Sequence, residues 1–350
     1  HLTTVGRVQT PTLSIVVERE EKIKKFVPRD YWEVRAEFVC AAGVYEGRWL
    51  DTKFKKDEND PEKRAERLWS KAAAESIVAA CRGKQGVVTE ESKPTTSMAP
   101  ALFDLTSLQR EANGRFGFSA KNTLGLAQAL YEKHKVLTYP RTDSRHLPED
   151  YIATVKNTLE SLNETNNYQQ FSKQVLKNGW VKPNKRIFDN TKISDHFAII
   201  PTGVAPKNLS EPEQKLYDLV TRRFMAVFFP AAEFLVTTRF TEVSGHQFKT
   251  EGKVMTNPGW LAIYGKDTTG DDKDGANLVP VQKGEKVLAD KVTPNGLVTK
   301  PPARYTEATL LSAMEGAGKL VDSDELRDAM AGKGLGTPAT RAAIIEGLLT

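Results

Sequence analysis

The spacing of apolar residues changes several times along the chain. Residues 13–26 place apolar side chains at helical intervals, and Pro11 stands near the first turn, where a helix tolerates proline. From residue 31 to residue 39 apolar and polar side chains alternate, as in a half-buried strand. Residues 97–228 carry helical patterns throughout, and strand patterns then return before a helical tail. The order predicts a set of strands that is interrupted by a helical block.

These patterns predict individual elements. Helices are expected at Leu13–Phe26, Pro61–Ala80, Ala101–Phe116, Ala120–Lys133, Pro148–Leu162, Pro212–Phe229, Thr306–Ala317, Ser323–Ala331 and Pro338–Leu348. Strands are expected at Tyr31–Val39, Val44–Leu50, Gly86–Glu91, Glu233–Thr241, Gln247–Thr250 and Lys286–Lys291. Ser119 is a predicted N-cap, because its hydroxyl accepts a hydrogen bond from a first-turn amide. Residues 266–277, rich in Gly and Asp, predict a surface loop.

The element order indicates an α+β multidomain protein. A chain of 350 residues exceeds one ordinary core, so about two to four domains are expected. A strand domain that is interrupted by an inserted helical domain accounts for the order, with both ends of the chain contributing to a third unit.

The composition permits a polyanionic partner without requiring one. Lys and Arg exceed Asp and Glu to give a formal net charge of +5, which is weak over this length. Cys40 and Cys81 form no CxxC pair, so no disulfide framework is expected and a reducing, cytoplasmic setting is the default. No apolar run has membrane-spanning length, and no secretory signal opens the chain. No set of His and Cys has the spacing of a zinc site.

The segment from Leu137 to Arg145 has the composition that a nucleophilic tyrosine requires. Tyr139 must ionise although a free phenol has a pKa of about 10, and neighbouring positive charge favours the anion. Arg141 and Arg145 supply that charge, and a guanidinium also neutralises a phosphate bidentately. Between the arginines lie a short acid and two hydroxyls, Asp143, Thr142 and Ser144. The alternative for this segment alone is a strand-end turn with a surface tyrosine and solvated arginines.

Three other segments carry candidate phosphate or base contacts. Gly6–Thr12 places Arg7 and Gln9 at a helix N-terminus, where amides and the helix dipole favour anions, and ordinary capping is the alternative. His196 precedes an apolar run and could bond a phosphate or shuttle a proton, and the alternative is a core histidine. Gly332–Arg341 is Gly-rich, basic and hydroxyl-bearing but lacks the Walker A spacing, and the alternative is a flexible link before the last helix.

Five segments occur in a fixed order along nearly the whole chain: Gly6–Leu13, Leu137–Arg145, His196–Thr202, Pro301–Ala308 and Gly334–Ile345. Together they resemble the type IA DNA topoisomerase family, and within it bacterial topoisomerase III. Five ordered motifs are far more specific than any one of them. The resemblance therefore outweighs the surface-turn alternative for Tyr139.

The resemblance implies a mechanism. Tyr139 would attack one strand of single-stranded DNA, form a 5′-phosphotyrosine link and release a 3′-hydroxyl, so that strand passage and rejoining need no ATP. Arg141 would neutralise the phosphate, Asp143 would position that cluster, and His196 would lie near the scissile phosphate. The implied DNA-binding residues are Arg7, Gln9, Thr142, Ser144, Arg145, Arg304, Thr340 and Arg341.

The resemblance also implies a toroidal arch. A helical domain that carries the nucleophile would be inserted into a β hinge domain, and a helical base domain would complete the ring. The implied ranges are 1–28 for the first part of the base, 29–96 for the first part of the β hinge, 97–228 for the helical domain, 229–297 for the return of the hinge and 298–350 for the second part of the base.

One part of the family pattern has no counterpart in the sequence. Family enzymes carry an N-terminal TOPRIM domain whose acidic residues bind Mg²⁺, and His1 stands where an initiator Met would be expected. We therefore expect a fragment, with Mg²⁺ bound elsewhere in the full-length enzyme and no metal or cofactor in this chain. The chain alone is expected to bind single-stranded DNA as a monomer, without a membrane and in association with the bacterial nucleoid or a plasmid, but to cleave it poorly.

Two other functions were open to the same residues. A tyrosine recombinase also forms a phosphotyrosine link, but it needs an Arg three residues after a His, and neither His146 nor His196 has one. A single-strand-binding module that keeps the arch without the chemistry is the non-enzymatic alternative.

Overall fold

The computed structural model describes residues 6–164, 167–268, 278–317 and 334–349. Its helices are α1 (Gln9–Lys24), α2 (Lys71–Cys81), α3 (Leu105–Phe116), α4 (Ala120–Glu132), α5 (Ile152–Leu162), α6 (Gln169–Lys177), α7 (Glu211–Ala226), α8 (Glu307–Glu315) and α9 (Pro338–Leu349). Its strands are β1 (Asp30–Cys40), β2 (Gly43–Leu50), β3 (Gln85–Ser97), β4 (Ala232–Val243), β5 (His246–Asn257) and β6 (Lys286–Val298). Short 3₁₀ segments lie at Glu149–Tyr151, Asn190–Lys192 and Gly259–Thr268.

The strands close into a barrel in the order β1-β2-β5-β4-β3-β6, and all neighbouring pairs are antiparallel. Alternation turns one face of each strand inward, and Val34, Ala36 and Phe38 of β1 are buried there. α2 packs against β1 and β6 and adds Ile77 and Val78 to this core. The barrel therefore has an apolar cluster of its own.

A buried cation lies inside the barrel. Arg239 on β4 donates from Nε to Glu90 Oε2 and from Nη2 to the carbonyl of Val279, each at 2.7 Å. Its guanidinium lies 4.4 Å from the centre of the Tyr45 ring. Burial raises the pKa of Tyr45 to about 12. A charge removed from water needs such partners, so this arrangement fixes the facing strands relative to each other.

Two ribbons extend from the barrel in addition to its closed part. Residues 30–34 of β1 pair with β6 and with no other described strand, and Thr299 continues this ribbon by bonding the backbone of Arg29. Residues 88–97 of β3 pair with β4 alone among the described strands, and β5 joins β4 on its other side. The first ribbon leads to α1 and α8, and the second leads to the helices from α3 to α7.

Two further apolar clusters lie at the ends of these ribbons. The larger surrounds Phe103, Leu137 and Phe224 and is formed by the helices from α3 to α7 and their connections. The smaller contains Leu311 of α8 and apolar residues of α9, packed against partly buried side chains of α1. α4 contributes one buried side chain to the smaller cluster, Ala120. The domain ranges expected from the sequence stay a prediction. The strands, the inserted helices and the helices near the two ends of the chain each have an apolar cluster in the structure.

The helix predicted at Pro61–Ala80 is wrong in its first part, because α2 begins at Lys71. The preceding segment folds through local hydrogen bonds in which a carboxylate accepts from the amide two residues on. The acceptors are Asp51, Asp57 and Asp60. These turns give the backbone an alternative to helix, which the apolar spacing alone did not reveal.

Other element predictions were incomplete. α6 was not predicted, because only Phe171 and Val175 of its side chains are large, apolar and buried. β3 and β5 extend well beyond their predicted ends, since their additional residues are mostly exposed and do not alternate. The Ser119 cap is confirmed, with Asn122 N donating to Ser119 Oγ at 3.0 Å. The helix predicted at Ser323–Ala331 and residues 269–277 of the predicted loop lie outside the described residues.

Candidate active site

The segment that carries Tyr139 lies against the segment that follows His196. Thr138 N donates to the carbonyl of Ile200 at 2.9 Å, and Ile200 N donates to Thr138 Oγ1 at 2.9 Å. Thr138 Oγ1 itself donates to the carbonyl of Ala198 at 3.0 Å. Apolar residues of both segments are buried in the larger cluster. Their backbone N–H and C=O groups are therefore removed from water and bond to each other across the two segments. Two motifs far apart in the sequence thus become neighbours.

Tyr139 packs between two other rings. Its ring centre is 4.2 Å from that of His196, with an interplanar angle of 43°. Tyr131 of α4 meets it edge-on, with 5.4 Å between the ring centres and an angle of 81°. Tyr139 is half-buried while His196 is exposed, so the phenol is held on its sides at a surface open to solvent.

Arg141 is anchored by the helix that precedes the motif. Gln128 Oε1 accepts from Nη2 and Nε of Arg141 at 3.1 and 3.2 Å in the amide orientation that satisfies both groups. A guanidinium has five N–H donors, so this contact leaves others for a phosphate. Gln128 and Tyr131 were not predicted as site residues. Their spacing of three on one helix, shortly before the motif, is the sequence signal that could have found them.

Thr142 and Ser144 hold the loop together from inside. Thr142 Oγ1 donates to the carbonyl of His196 at 2.9 Å, and Ser144 Oγ donates to the carbonyl of Lys192 at 2.8 Å. Both residues are nearly inaccessible, at 2% and 3% exposure. In this arrangement neither hydroxyl faces solvent, so a DNA contact by either stays a prediction. Asp143 is exposed and accepts from Ser194 Oγ at 3.3 Å.

Burial affects one titratable group in the same stretch. The pKa of His146 lies below its usual value because the ring is removed from water. The backbone of His146 accepts from Ala198 N at 3.0 Å, which ties the end of the motif to the segment after His196. His146 is therefore a neutral, structural neighbour of the site near pH 7.

Arg145 points away from Tyr139's partners toward α3 and α8. Its Nε donates to Asp104 Oδ2 at 2.8 Å, and its Nη2 lies 3.7 Å from Glu315 Oε1. Arg110 Nη1 approaches the other oxygen of Glu315 at 3.3 Å. Asp104 and Glu315 were not singled out from the sequence, because a capping Asp and a helix-terminal Glu look ordinary there.

Arg341 is buried, at 2% exposure, and joins α9 to α3. Its Nε and Nη2 donate to the carbonyls of Leu335 and Gly336 at 3.0 and 3.1 Å, and Nη1 donates to Thr106 Oγ1 at 2.8 Å. Burial lowers the pKa of Arg341 from its ordinary value. In the Gly-rich segment before α9, which was predicted to contact phosphate, these two carbonyls thus bond the segment's own arginine. A DNA contact by Arg341 stays a prediction, which requires a different arrangement from this one.

The loop before α9 adopts a shape that requires glycine. Gly334 has φ of +60°, and a Cβ there would lie 2.3 Å from the carbonyl oxygen of Met314. Leu335 N donates to that same carbonyl at 2.7 Å. The close approach seats the loop on the C-terminal end of α8, beside Glu315.

The remaining predicted DNA contacts lie in or near α1, α8 and α9. Arg7 and Gln9 are exposed at the start of α1, and Thr340 is exposed in the first turn of α9, where its Oγ1 accepts from Thr337 N at 2.9 Å. Arg304 is exposed and bonds the carboxylate of Glu20 through Nε and Nη2 at 2.7 and 3.1 Å. The structure thus divides the predicted residues into a set around Tyr139 and a set on the base.

The described residues contain no group of three or more His, Cys, Asp or Glu side chains that could hold a metal ion. Among the helices that the structure describes, none combines the length and the apolar character needed to cross a bilayer.

Comparison with known proteins identifies relatives along the whole chain. DNA topoisomerase 3 of Bacillus subtilis is 42% identical over 353 aligned residues, and the alignment covers 98% of this chain and 46% of the relative. DNA topoisomerase 3 of Bacillus cereus is 39% identical over 355 residues with the same coverage. The chain therefore spans about half the length of the curated relatives it matches.

A solved structure shares the fold. Full-length topoisomerase I from Thermotoga maritima matches all of this chain and 52% of its own, with a TM-score of 0.69 and 23% identity. A family model described as DNA topoisomerase matches residues 1–350. Because that match covers the entire chain, the chain belongs to the DNA topoisomerase family, as a type IA member close to topoisomerase III.

Proposed function

We propose that this chain supplies the nucleophile and part of the strand-holding surface of a type IA DNA topoisomerase. Tyr139 Oη attacks a phosphodiester of single-stranded DNA, so that a phosphorus–oxygen bond to tyrosine forms and the bond to the 3′ oxygen breaks. The phenol gives up its proton in the attack and the departing 3′ oxygen takes one to leave as a hydroxyl, so no net proton is gained or lost. The reverse reaction rejoins the strand without ATP. The observation that carries this proposal is the packing of Tyr139 against His196, which joins two distant motifs at 4.2 Å.

The neighbouring groups fit this chemistry. Arg141 is fixed through Gln128 with donors left over, and a guanidinium is suited to the charge that develops on the phosphate in flight. His196 is exposed beside the phenol, where it can donate a hydrogen bond to a phosphate oxygen. The position of Asp143 at the rim supports a role in placing these groups rather than in bond making.

The family's magnesium ion finds no site among the described residues. Asp104 bonds Arg145 and Asp143 accepts from Ser194, and neither belongs to a group of three or more possible metal ligands among the described residues. We derive no step through Mg²⁺ on this chain and propose that the ion acts from another part of the full-length enzyme.

The proposal extends to the shape of the molecule. The barrel acts as the hinge of a toroidal arch, with the helices from α3 to α7 on one ribbon and the base helices on the other. The arch closes where α3 and α4 meet α8 and α9. Parting that contact would separate the two cut ends and admit another strand. Action as a monomer on DNA in the bacterial cytoplasm is part of the same proposal.

Covalent trapping of labelled single-stranded DNA tests the function. The chain is assayed alone and as a chimaera in which it replaces the matching segment of the Bacillus subtilis relative, with magnesium in both cases. We expect an adduct from the chimaera, its loss in Tyr139→Phe, and DNA binding retained within about twofold. The chain alone should bind DNA and give little adduct.

Two outcomes would contradict the proposal. An adduct that survives Tyr139→Phe would assign the nucleophile to another residue. Tight binding without any adduct from a chimaera that folds would leave this chain as a single-strand-binding module without chemistry.

A further inference from the structure

An ionic cluster lies at the contact of α3 and α4 with α8 and α9, where the proposed arch closes. We call this contact the junction. Glu315 of α8 faces two arginines of the helical block, Arg110 at 3.3 Å and Arg145 at 3.7 Å. Arg145 also bonds Asp104 at 2.8 Å. We call these four residues the junction cluster. They come from three places in the chain: α3 with its cap, the motif that carries Tyr139, and the last residue of α8.

Glu315 is placed against its local electrostatic preference. A carboxylate in the last turn of a helix faces the negative end of the helix dipole, which disfavours it. The last turn of α8 contains no basic residue to offset this. The two arginines across the junction offset this while the junction is closed, and Arg341 of α9, on the same side as Glu315, adds a further favourable charge.

The cluster continues into the catalytic segment through bonded groups. Asp104 is the N-cap of α3, and the next amide, Leu105 N, donates to the carbonyl of Thr142 at 3.0 Å. The hydroxyl of Thr142 donates to the carbonyl of His196 at 2.9 Å. Arg145 is thus connected at one end to Glu315 across the junction. At the other end it is connected, through Asp104 and the start of α3, to the backbone carbonyl of His196, whose ring packs on Tyr139.

We propose that Arg145 is a positioning residue that couples closure of the junction to the geometry of Tyr139 and His196. With the junction closed, Glu315 and Asp104 hold the guanidinium between them and the loop of Thr142 is fixed. When the junction opens, Glu315 departs, Arg145 loses one of its two anionic partners and the loop is released. Attack and rejoining are then confined to the closed state. This inference rests on the proposed function, and it assigns Arg145 a role other than the direct DNA contact expected from the sequence.

The inference can be tested on the chain without DNA or magnesium. 3-Fluorotyrosine placed at position 139 gives a ¹⁹F NMR signal that is sensitive to the packing of His196. We expect Arg145→Gln and Glu315→Gln each to shift or broaden this signal, and the double variant to match the single ones rather than add to them. Arg145→Lys keeps the charge and should restore part of the original signal.

Matched variants distinguish a specific coupling through Arg145 from a general weakening of the junction. Lys121→Gln removes a different pair across the junction, with Glu346 at 3.6 Å, and is the matched control that should leave the ¹⁹F signal unchanged. Arg110→Gln removes the other partner of Glu315 and should give a smaller response than Arg145→Gln, because Arg145 keeps both of its anionic partners. A signal that responds to Arg145→Gln but not to Glu315→Gln would overturn the coupling, as would an equal response to Lys121→Gln.

Covalent trapping with the chimaera supplies an independent arm. Glu315→Gln should lower adduct formation about tenfold, with DNA affinity changed by less than about twofold, because a positioning loss affects the reaction step. If the chimaera gives no adduct with any variant, the proposed function fails while the ¹⁹F result still decides the coupling. If adduct forms equally in Glu315→Gln, the coupling fails and the proposed function stands.

Discussion

The side chains of the Tyr139 motif fall into two groups: those proposed to take part in the reaction and those that hold the loop in place. Tyr139 packs on His196 and Arg141 bonds Gln128, whereas Thr142 and Ser144 turn inward and bond backbone carbonyls. A hydroxyl that bonds a buried carbonyl removes the cost of leaving that acceptor unsatisfied. The motif therefore combines reactive groups with the groups that keep them in place.

Gln128 offers a test at the scale of one residue. Gln128→Met keeps the length of the side chain but removes the acceptor that fixes the guanidinium of Arg141. We expect adduct formation by the chimaera to fall roughly ten- to a hundredfold, since a small misplacement of a charged group is costly in the transition state. The rate of adduct formation and the DNA affinity are measured together.

Gln128→Glu is the matched variant for that experiment. It restores an acceptor for Arg141 but adds a negative charge close to the expected phosphate. Adduct formation should stay low at all salt concentrations if charge at this point matters. Full activity in Gln128→Met would show that Arg141 needs no anchor.

Among the elements, α4 has the most direct influence on the site. One of its faces carries Gln128 and Tyr131 to the catalytic segment, and its first residue, Ala120, enters the apolar cluster of the base. Its N-terminus is fixed by the Ser119 cap and by Ala120 N, which donates to Glu307 Oε2 at 2.6 Å. α4 thus spans the distance between the junction and Tyr139, the proposed nucleophile.

Two glycines near α4 test its intrinsic stability. A Cβ at Gly125, within α4, or at Gly117, which ends α3 with φ of +69°, meets no atom within 4 Å. Gly125→Ala should raise the free energy of unfolding by about 0.5–1 kcal/mol, because alanine favours the helix. Gly117→Ala should lower it by about 1–2 kcal/mol, because its backbone is left-handed. Urea denaturation measures both changes in the free energy of unfolding. Equal changes would mean that the backbone conformation of the replaced glycine does not determine the effect of the substitution.

Among the described residues, few buried apolar side chains of the helical block contact α8 or α9 at the junction. Ala120 is the buried residue that α4 adds to the smaller cluster, and the junction also contains ion pairs and hydrogen bonds between the helical block and α8 or α9. Exposed ion pairs contribute little each and are weakened by salt. Such a contact is suited to opening and closing without unfolding either side.

Ala120→Glu tests this organisation. The new carboxylate would replace a side chain that is 1% exposed and would face Glu307, so the closed junction should lose several kcal/mol. We expect the radius of gyration from small-angle X-ray scattering to increase while the circular dichroism stays unchanged. Ala343→Glu, at an exposed position of α9, is the control and should change neither. A collapse of the dichroism in Ala120→Glu would instead make the junction part of one core.

The sequence predicted the strands and most helices because these depend on local spacing. It singled out the motif around Tyr139 because that motif is contiguous, but it missed Gln128 and Tyr131, which contact the motif from α4. The irregular segment before α2 escaped prediction, since turns made by Asp57 and Asp60 have no apolar period. The surroundings of Arg145 and Arg341 escaped for another reason. Their partners, Glu315 and Thr106, lie on other elements, and a single sequence does not show which elements meet.

The two ribbons that leave the barrel have a mechanical consequence. The second ribbon has exposed side chains along β3, and in the first ribbon β1 pairs with β6 as its only described strand neighbour, whereas the closed part between them is a ring with a filled centre. We expect the ribbons to bend before the closed ring when the junction parts, because each ribbon has fewer strand neighbours than the ring. On this expectation the hinge of the proposed arch lies where the ribbons leave the barrel, and bending them stores elastic energy that favours reclosure.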